Sequence, residues 1–217
     1  MILQGSVTPP GNNATGTTPQ VPASHQGDIL VSELHGKWYN ACYNGKVFTG
    51  SSAVTGTSFP IYTSTTGSFM LWNTSNTVNL ELISFRLGWV SGTFTTGTIG
   101  YAMFSGAGST TNASVISTFT NAPTYIRSGL IGQPGSGQAS LANATVTYVA
   151  PTVSNLIPAN MSATTLTGTN TGMAFMTMQE DFDGHIILPP GAAIQPVGLV
   201  ASVSIFWAKF IWAEWPV

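Results

Sequence analysis

FMLWNTSNTVNLELISFRLGW, residues 69–89, decides the fold class of this chain. Apolar and polar residues alternate through Val78, Leu80 and Leu82, and Phe85 continues the apolar run. A period of two is typical of a strand that buries one face and turns the other toward solvent. The stretch therefore predicts β-structure on both sides of the Asn-rich segment that interrupts it.

Similar runs, each bounded by Gly, Asn or Pro clusters, occur along the rest of the chain. They are Ile99–Phe104, Val115–Phe119, Leu141–Val149, Thr171–Met178, Ile186–Leu188 and Gly198–Trp215. In the last run every second residue from Leu199 to Trp207 is apolar, as a core strand requires. About eight strands with almost no amphipathic helix predict an all-β fold, an antiparallel β-sandwich of the jelly-roll type.

The N-terminal region has a different composition. Residues 1–27 hold four prolines and many Gly, Asn and Thr residues, which predicts an extended arm without a core of its own. This arm is either a disordered tail or a segment that orders across a neighbouring subunit. Residues 28–217 are predicted to form a single β-sandwich domain. Within Ile29–Gly50, apolar residues at intervals of four fit a short helix, and the aromatic residues fit an extended segment as well.

The charge content is unusually low. Only 6% of the residues are charged, against about 25% in a typical soluble domain, whereas 43% are hydrophobic. Such a surface lacks the interspersed charges that keep concentrated monomers apart, so it suits a protein packed in a lattice or oligomer. The alternative is a domain that simply evolved few charges. The net charge of −2, and the absence of Lys and Arg before Lys37, argue against nucleic-acid binding.

The sequence predicts neither secretion nor membrane insertion. Its first residues have no positive n-region and no apolar stretch of sufficient length for a signal peptide. The longest apolar stretch, Val197–Trp215, is interrupted by polar and charged residues, so we expect no membrane span. The single cysteine, Cys42, cannot form an internal disulfide.

One acidic cluster has two interpretations. Glu180, Asp181 and Asp183 are followed by Gly184 and His185, and carboxylates this close could hold a divalent ion. The spacing lacks the alternation of a calcium loop, however. Asp-Gly between two apolar runs favours a β-hairpin turn, because Gly supplies a positive φ. We favour the hairpin and keep the ion site as the alternative.

No arrangement of residues predicts catalysis. The three histidines His25, His35 and His185 are far apart, and serine is too abundant for any Ser/His/Asp set to be informative. There is no Gly-x-Ser-x-Gly motif and no phosphate-binding loop. With seven carboxylates in the chain, few pairs suit a glycosidase. We therefore predict a protein that is not an enzyme and has no cofactor.

The aromatic residues favour burial. Six tryptophans would suit carbohydrate binding, because aromatic rings stack on sugars, but they lie inside apolar runs. A core or a subunit interface explains such large apolar side chains better. The residues predicted for an interface are Trp38, Tyr39, Tyr43, Trp212 and Trp215.

Two stretches resemble a known group of proteins. ILVSELHGKWYNACYNGKVFTG (residues 29–50) and FDGHIILPPGAAIQPVG (residues 182–198), with a last strand ending IWAEWPV, are similar to jelly-roll cement or decoration proteins of tailed-phage heads. The resemblance implies a protein made in the host cytoplasm that binds the outside of the capsid. Its partners would be the major capsid protein and further copies of itself. In the LPPG segment, the two prolines should end a strand and Gly191 should turn the chain, leaving two adjacent strands at a sheet edge.

Two alternative functions stay open. A coat protein forming the shell of a small jelly-roll virus usually meets the genome through a basic arm, and here the arm carries no positive charge. A tail or receptor-binding module that recognises a host glycan would need an exposed aromatic residue with polar neighbours in a cleft.

Overall fold

The computed structural model describes residues 36–92, 97–104, 116–133, 135, 137–149, 156–163, 177–201 and 203–217. The arm predicted for residues 1–27 lies outside these ranges and stays a prediction. The chain divides into two compact units, and the boundary lies between Asn44 and Gly45.

The described part of the first unit contains one short helix. This helix, α1, spans Tyr39–Tyr43 and follows a turn closed by the Tyr39 amide and the Gly36 carbonyl at 2.9 Å. The helix ends before Gly45, whose φ of +66° is a conformation that favours glycine. Both interpretations of residues 29–50 hold for a part of the segment. Residues Tyr39–Tyr43 form a helix, and the chain is extended from Val47 onward.

The described part of the second unit contains fourteen strands and one turn of 3₁₀ helix at Pro123–Tyr125. The strands are β1 Val47–Ser51, β2 Thr66–Gly67, β3 Met70–Trp72, β4 Val78–Ser91, β5 Gly97–Phe104, β6 Ile116–Thr118, β7 Ile126–Ser128, β8 Ser140–Ala142, β9 Val146–Tyr148, β10 Leu156–Ala163, β11 Thr177–Asp181, β12 Ile187–Leu188, β13 Ala193–Gly198 and β14 Ile205–Pro216. The predicted all-β class is confirmed.

Five antiparallel pairings are nested along the chain at four successive levels. β1 pairs with β14, β3 with β13, β4 with both β11 and β12, and β5 with β10. Such nesting arises when one long antiparallel hairpin is rolled up, and it is the topology of a jelly roll. The pairings of β4 with β14 and of β5 with β13 then join the nested pairs into two sheets.

The first sheet has the strand order β11-β4-β14-β1-β7, with β12 also on β4, and the second has the order β10-β5-β13-β3-β8. A third sheet of three short strands has the order β2-β9-β6. Strands β6 to β9 all come from the connection between β5 and β10. This single connection thus lengthens both main sheets and supplies two strands of the third.

The main core lies between the first and second sheets. Leu80, Leu82 and Phe85 of β4 are fully buried against Phe69 and Leu141 on the opposite side. The rings of Phe69 and Phe210 are stacked with centroids 5.5 Å apart. The alternation seen in residues 78–85 therefore reports the face of β4 that points into the sandwich.

A second core covers the opposite face of the second sheet. Here Ala102, Ala142 and Ala193 come from the sheet, and Val146 and Tyr148 come from β9 of the third sheet. The three alanines allow close approach of the covering layer because they project little beyond the backbone. The second sheet is consequently buried on both faces.

Asn73 joins the two main sheets at one end. Its side-chain amide donates to the carbonyls of Val78 at 2.8 Å and Leu188 at 2.9 Å, both in the first sheet. Its backbone N–H donates to Ala192 at 2.8 Å, and its carbonyl accepts from Gly191 at 2.9 Å. A fully buried amide with this many partners stabilises the crossing between the layers.

The LPPG segment makes that crossing, which corrects part of the prediction. Strand β12 ends at Leu188, and Gly191 turns the chain with φ +83°, as the sequence indicates. The two flanking strands are not adjacent, however, because β12 lies in the first sheet and β13 lies inside the second. The turn therefore carries the chain from one layer to the other.

Candidate functional site

The end of the acidic cluster forms a turn between β11 and β12. These two strands do not form a hairpin, so the hairpin prediction is wrong. Asp183 and Gly184 have φ values of +50° and +87°, and the His185 amide donates to the Phe182 carbonyl at 2.8 Å. These are the features of a type I′ turn. Strands β11 and β12 on either side do not pair with each other, because both pair with β4. The turn is an excursion from one edge of the first sheet.

The same three carboxylates do not gather around one point. Asp181 accepts the side-chain amide of Gln179 at 2.8 and 3.0 Å and is exposed. Glu180 is half-buried on the opposite side of β11, because neighbouring side chains on a strand alternate between its faces. Among the described residues, no group of three or more His, Cys, Asp or Glu side chains could hold a metal ion.

The predicted interface residues have different environments. On α1, Tyr39 and Tyr43 are 41% and 59% exposed, and their rings are stacked with centroids 6.0 Å apart. Trp38 is half-buried, and the Lys37 Nζ lies 5.1 Å from the centroid of its ring. This one-turn helix thus presents a pair of aromatic rings to solvent.

Trp212 and Trp215, which lie close together on β14, differ in how far they are exposed to solvent. Trp212 is fully buried in the main core, with its ring 6.2 Å from that of Phe48. The prediction that Trp212 serves an interface is therefore wrong, because its ring is enclosed within the subunit. Trp215 is 38% exposed, and its indole N–H donates to a Glu81 carboxylate oxygen at 2.5 Å.

Glu214 is a buried carboxylate that the sequence did not single out. Its oxygens accept the backbone N–H of Gln138, that of Ala139 at 3.2 Å and the indole N–H of Trp212 at 3.2 Å. A Cβ on Gly137 would approach the same carboxylate to 2.5 Å. These contacts hold the segment before β8 against the end of β14, so the role is structural.

Three buried polar atoms have no hydrogen-bond partner among the described residues, namely Trp89 Nε1, Tyr101 Oη and Gln195 Oε1. Burial raises the pKa of the Tyr101 hydroxyl, and the negative charge of Glu180 raises it further. Tyr101 therefore stays protonated, and its ring is enclosed at 5.3 Å from both Phe85 and Phe182. These atoms lie inside the fold and away from solvent.

The outer face of the first sheet carries polar and charged side chains in neighbouring positions. Arg86 of β4 is directly opposite Lys209 of β14 on one side and Gln179 of β11 on the other. Two pairs further along, and therefore on the same face, Gly88 is opposite Trp207. Directly opposite residues of antiparallel strands share a face, so these five residues form one surface.

A hollow of about 350 Å³ lies on this surface and is lined by Arg86, Leu87, Gly88, Met178, Gln179 and Trp207. We call it the Trp207 hollow. Arg86 and Gln179 are exposed, and the Trp207 side chain is 37% exposed. A Cβ added to Gly88 would meet nothing within 4 Å, so the floor of the hollow is open.

The electrostatics at the edge of the hollow are unbalanced. Burial lowers the pKa of Lys209, and the positive charge of Arg86 lowers it further. Within the described ranges, neither Arg86 nor Lys209 has a carboxylate partner. On the face of β11 that carries Gln179, the next residue is Asp181, and its carboxylate accepts from the Gln179 amide. Two cations therefore lie side by side, and none of the described residues supplies a counter-ion to either.

Sequence reasoning did not find this surface. The basic residues are scattered singly along the chain, and only the register between β4 and β14 brings Arg86 beside Lys209. The sequence pattern predicts that Trp207 lies on the buried face of the last strand. In the structure β14 begins at Ile205 and buries the alternate set of residues, with Phe206, Ala208 and Phe210 in the core. Trp207 points outward for that reason.

No helix in the described part of the chain is long and apolar enough to cross a membrane. Comparisons with protein-family models, with curated proteins and with solved structures found no match to this chain.

Proposed function

We propose that this chain is a structural protein of a virus particle that binds the outside of a tailed-phage head and ties capsomers together. The observation that carries the proposal is the nested strand order of a jelly roll in a chain with only 6% charged residues. A fold hosts many functions, so the surface must supply the rest of the argument.

The described surface has features of a protein that is covered by neighbours. Large apolar side chains are exposed at several separate places, among them Val54 at 89%, Ile131 at 99% and Val203 at 74%. The stacked pair of Tyr39 and Tyr43 is of the aromatic type that is enriched at protein interfaces. This pair also belongs to the segment that resembles phage decoration proteins.

The experiment mixes the purified full-length protein with undecorated, expanded capsid shells and examines the particles by electron microscopy. We expect additional density on the outer surface, at positions that bridge neighbouring capsomers. The double variant Tyr39→Ser/Tyr43→Ser should weaken this binding by at least tenfold, since interface aromatics commonly dominate the binding energy.

The matched control is Tyr125→Ser, which makes the same change at an exposed tyrosine that the interface argument does not use. It should leave shell binding unchanged. Absence of density on the shells, together with attachment of the protein to host cells, would overturn the capsid role.

A further inference from the structure

We propose that the Trp207 hollow binds an acidic sugar, with the carboxylate held by Arg86 and Lys209 and the ring resting on the Trp207 indole. The volume of about 350 Å³ lies within the range of roughly 300–1,000 Å³ that is usual for small-molecule sites. The inference is independent of the proposed capsid role, because it concerns only the outer face of the first sheet.

The charges indicate the sign of the ligand. Arg86 and Lys209 are directly opposite each other, and in the described part of the chain neither has a carboxylate partner. Two adjacent like charges destabilise a sheet, and an anion bound between them would remove that repulsion. A guanidinium also matches the planar geometry of a carboxylate and binds it through two parallel hydrogen bonds.

The floor and wall of the hollow indicate the shape of the ligand. A glycine inside a strand is destabilising and often marks a close approach by a ligand or another backbone. At Gly88 no protein atom would lie within 4 Å of an added Cβ, so no other part of the described chain uses that space. The partly exposed indole of Trp207 forms a wall on which the C–H face of a sugar ring can pack.

The polar residues distinguish a sugar from other anions. Asp181 accepts the side-chain N–H groups of Gln179, so the amide carbonyl of Gln179 is left to accept a ligand hydroxyl. A nucleic-acid strand would need a continuous track of cations along its backbone. The chain has a net charge of −2, and the cations that the structure describes here are Arg86, which lines the hollow, and Lys209, which lies directly opposite Arg86. An anionic ring with hydroxyl groups fits these residues better.

The test measures binding of D-glucuronate, D-galacturonate and N-acetylneuraminate to the full-length protein by ligand-observed NMR and calorimetry. D-glucose is the matched neutral ligand, because it differs from D-glucuronate only at the carboxylate. We expect the acidic sugars to bind more tightly than glucose. The affinity should also fall as salt is added, since partly exposed charges are screened.

Three variants examine the site itself. Arg86→Gln removes a charge, Trp207→Ala removes the wall, and Gly88→Val fills the hollow. Each should weaken binding of the acidic sugars by about tenfold or more. Gly88→Val is the decisive variant, because its side chain has open space and valine favours strands, so the fold should be retained.

The control is Arg127→Gln, which removes another cation from the same face. The Arg127 guanidinium donates to the Ile126 carbonyl at 3.0 Å, and β7 is separated from β14 by β1. This variant should bind as the unmodified protein does. The inference is overturned if none of the three acids binds, if glucose binds equally well, or if Arg127→Gln weakens binding as much as Arg86→Gln. It is also overturned if a thymidine oligonucleotide displaces the sugar from a site that Gly88→Val blocks.

Discussion

Glu214 accepts the backbone N–H of Gln138 with both of its carboxylate oxygens, at 2.9 Å each. The carboxylate is only 5% exposed, and all of its described donors are neutral N–H groups. It lies at the end of β14 and stabilises the segment that leads into β8. The Glu214 side chain therefore connects β14, in the first sheet, to the segment before β8, an edge strand of the second sheet.

Glu214→Gln should lower the free energy of unfolding by about 2 kcal/mol, because the glutamine NH₂ group would face N–H donors that then lose their acceptor. Urea denaturation of the two proteins measures the difference. The matched control is Asp181→Asn, an exposed carboxylate whose replacement should change stability little. Equal losses in both variants would contradict the structural role of Glu214.

Asn73→Asp should lower the free energy of unfolding by about 3 kcal/mol at neutral pH. The aspartate has no N–H group to donate to Val78 and Leu188, and its negative charge would lie against their carbonyl oxygens. Asn76→Asp makes the same change at an exposed position of the same turn and serves as the control. Urea denaturation of both variants measures the difference. An unfolding midpoint for Asn73→Asp close to that of Asn76→Asp would show that the Asn73 amide does not join the sheets.

Gly67→Ala should destabilise the protein by about 1–3 kcal/mol, because the new methyl group would overlap the side chain of Gln195. Gln195 is fully buried, and its amide donates to the Tyr148 hydroxyl at 2.7 Å, so it has little freedom to move. Gly88→Ala is the opposite case, since its methyl group enters open space and should stabilise by up to about 1 kcal/mol. Thermal unfolding of both variants measures the contrast, and equal effects would contradict it.

Arg86→Gln should raise the pKa of Lys209, because it removes the second of the two causes that lower it. In the unmodified protein the folded state releases the Lys209 proton at a lower pH than the unfolded state does. Stability should therefore rise as the pH increases through the folded pKa toward the ordinary lysine value. An NMR titration of the Lys209 side chain measures the shift, and Arg127→Gln should leave it unchanged. An unaltered Lys209 pKa in Arg86→Gln would show that the two charges do not interact.

The sequence predicts the strands well where one face is buried. Residues 69–89 become β3 and β4, and Leu80 and Leu82 are fully buried as their alternation indicates. Strand β10 was not predicted, because Pro158 and Asn160 obscure the pattern. The face that the last strand buries was predicted wrongly. The apolar alternation that begins at Leu199 lies largely before Ile205, where β14 starts.

The candidate site could not be predicted, because strand register is not visible in a local pattern. Arg86 and Lys209 are separated by more than a hundred residues, and a shift of one residue between β4 and β14 would place them on opposite faces. The one local signal of the site is Gly88, a glycine inside an otherwise apolar stretch of β4. The turn at Asp183 shows the same limit, because its residues specify the turn but not the partner of the strands beside it.

The nested pairing constrains when the protein can fold during its synthesis. The outermost pair joins Val47 to Ala213, and β14 lies between β4 and β1 in the first sheet. This sheet cannot close until β14 has left the ribosome, and such distant pairing is slow to form. The newly made chain must therefore avoid aggregation with a large apolar surface uncovered, and the surface that contains Trp207 comes into existence only in the final step.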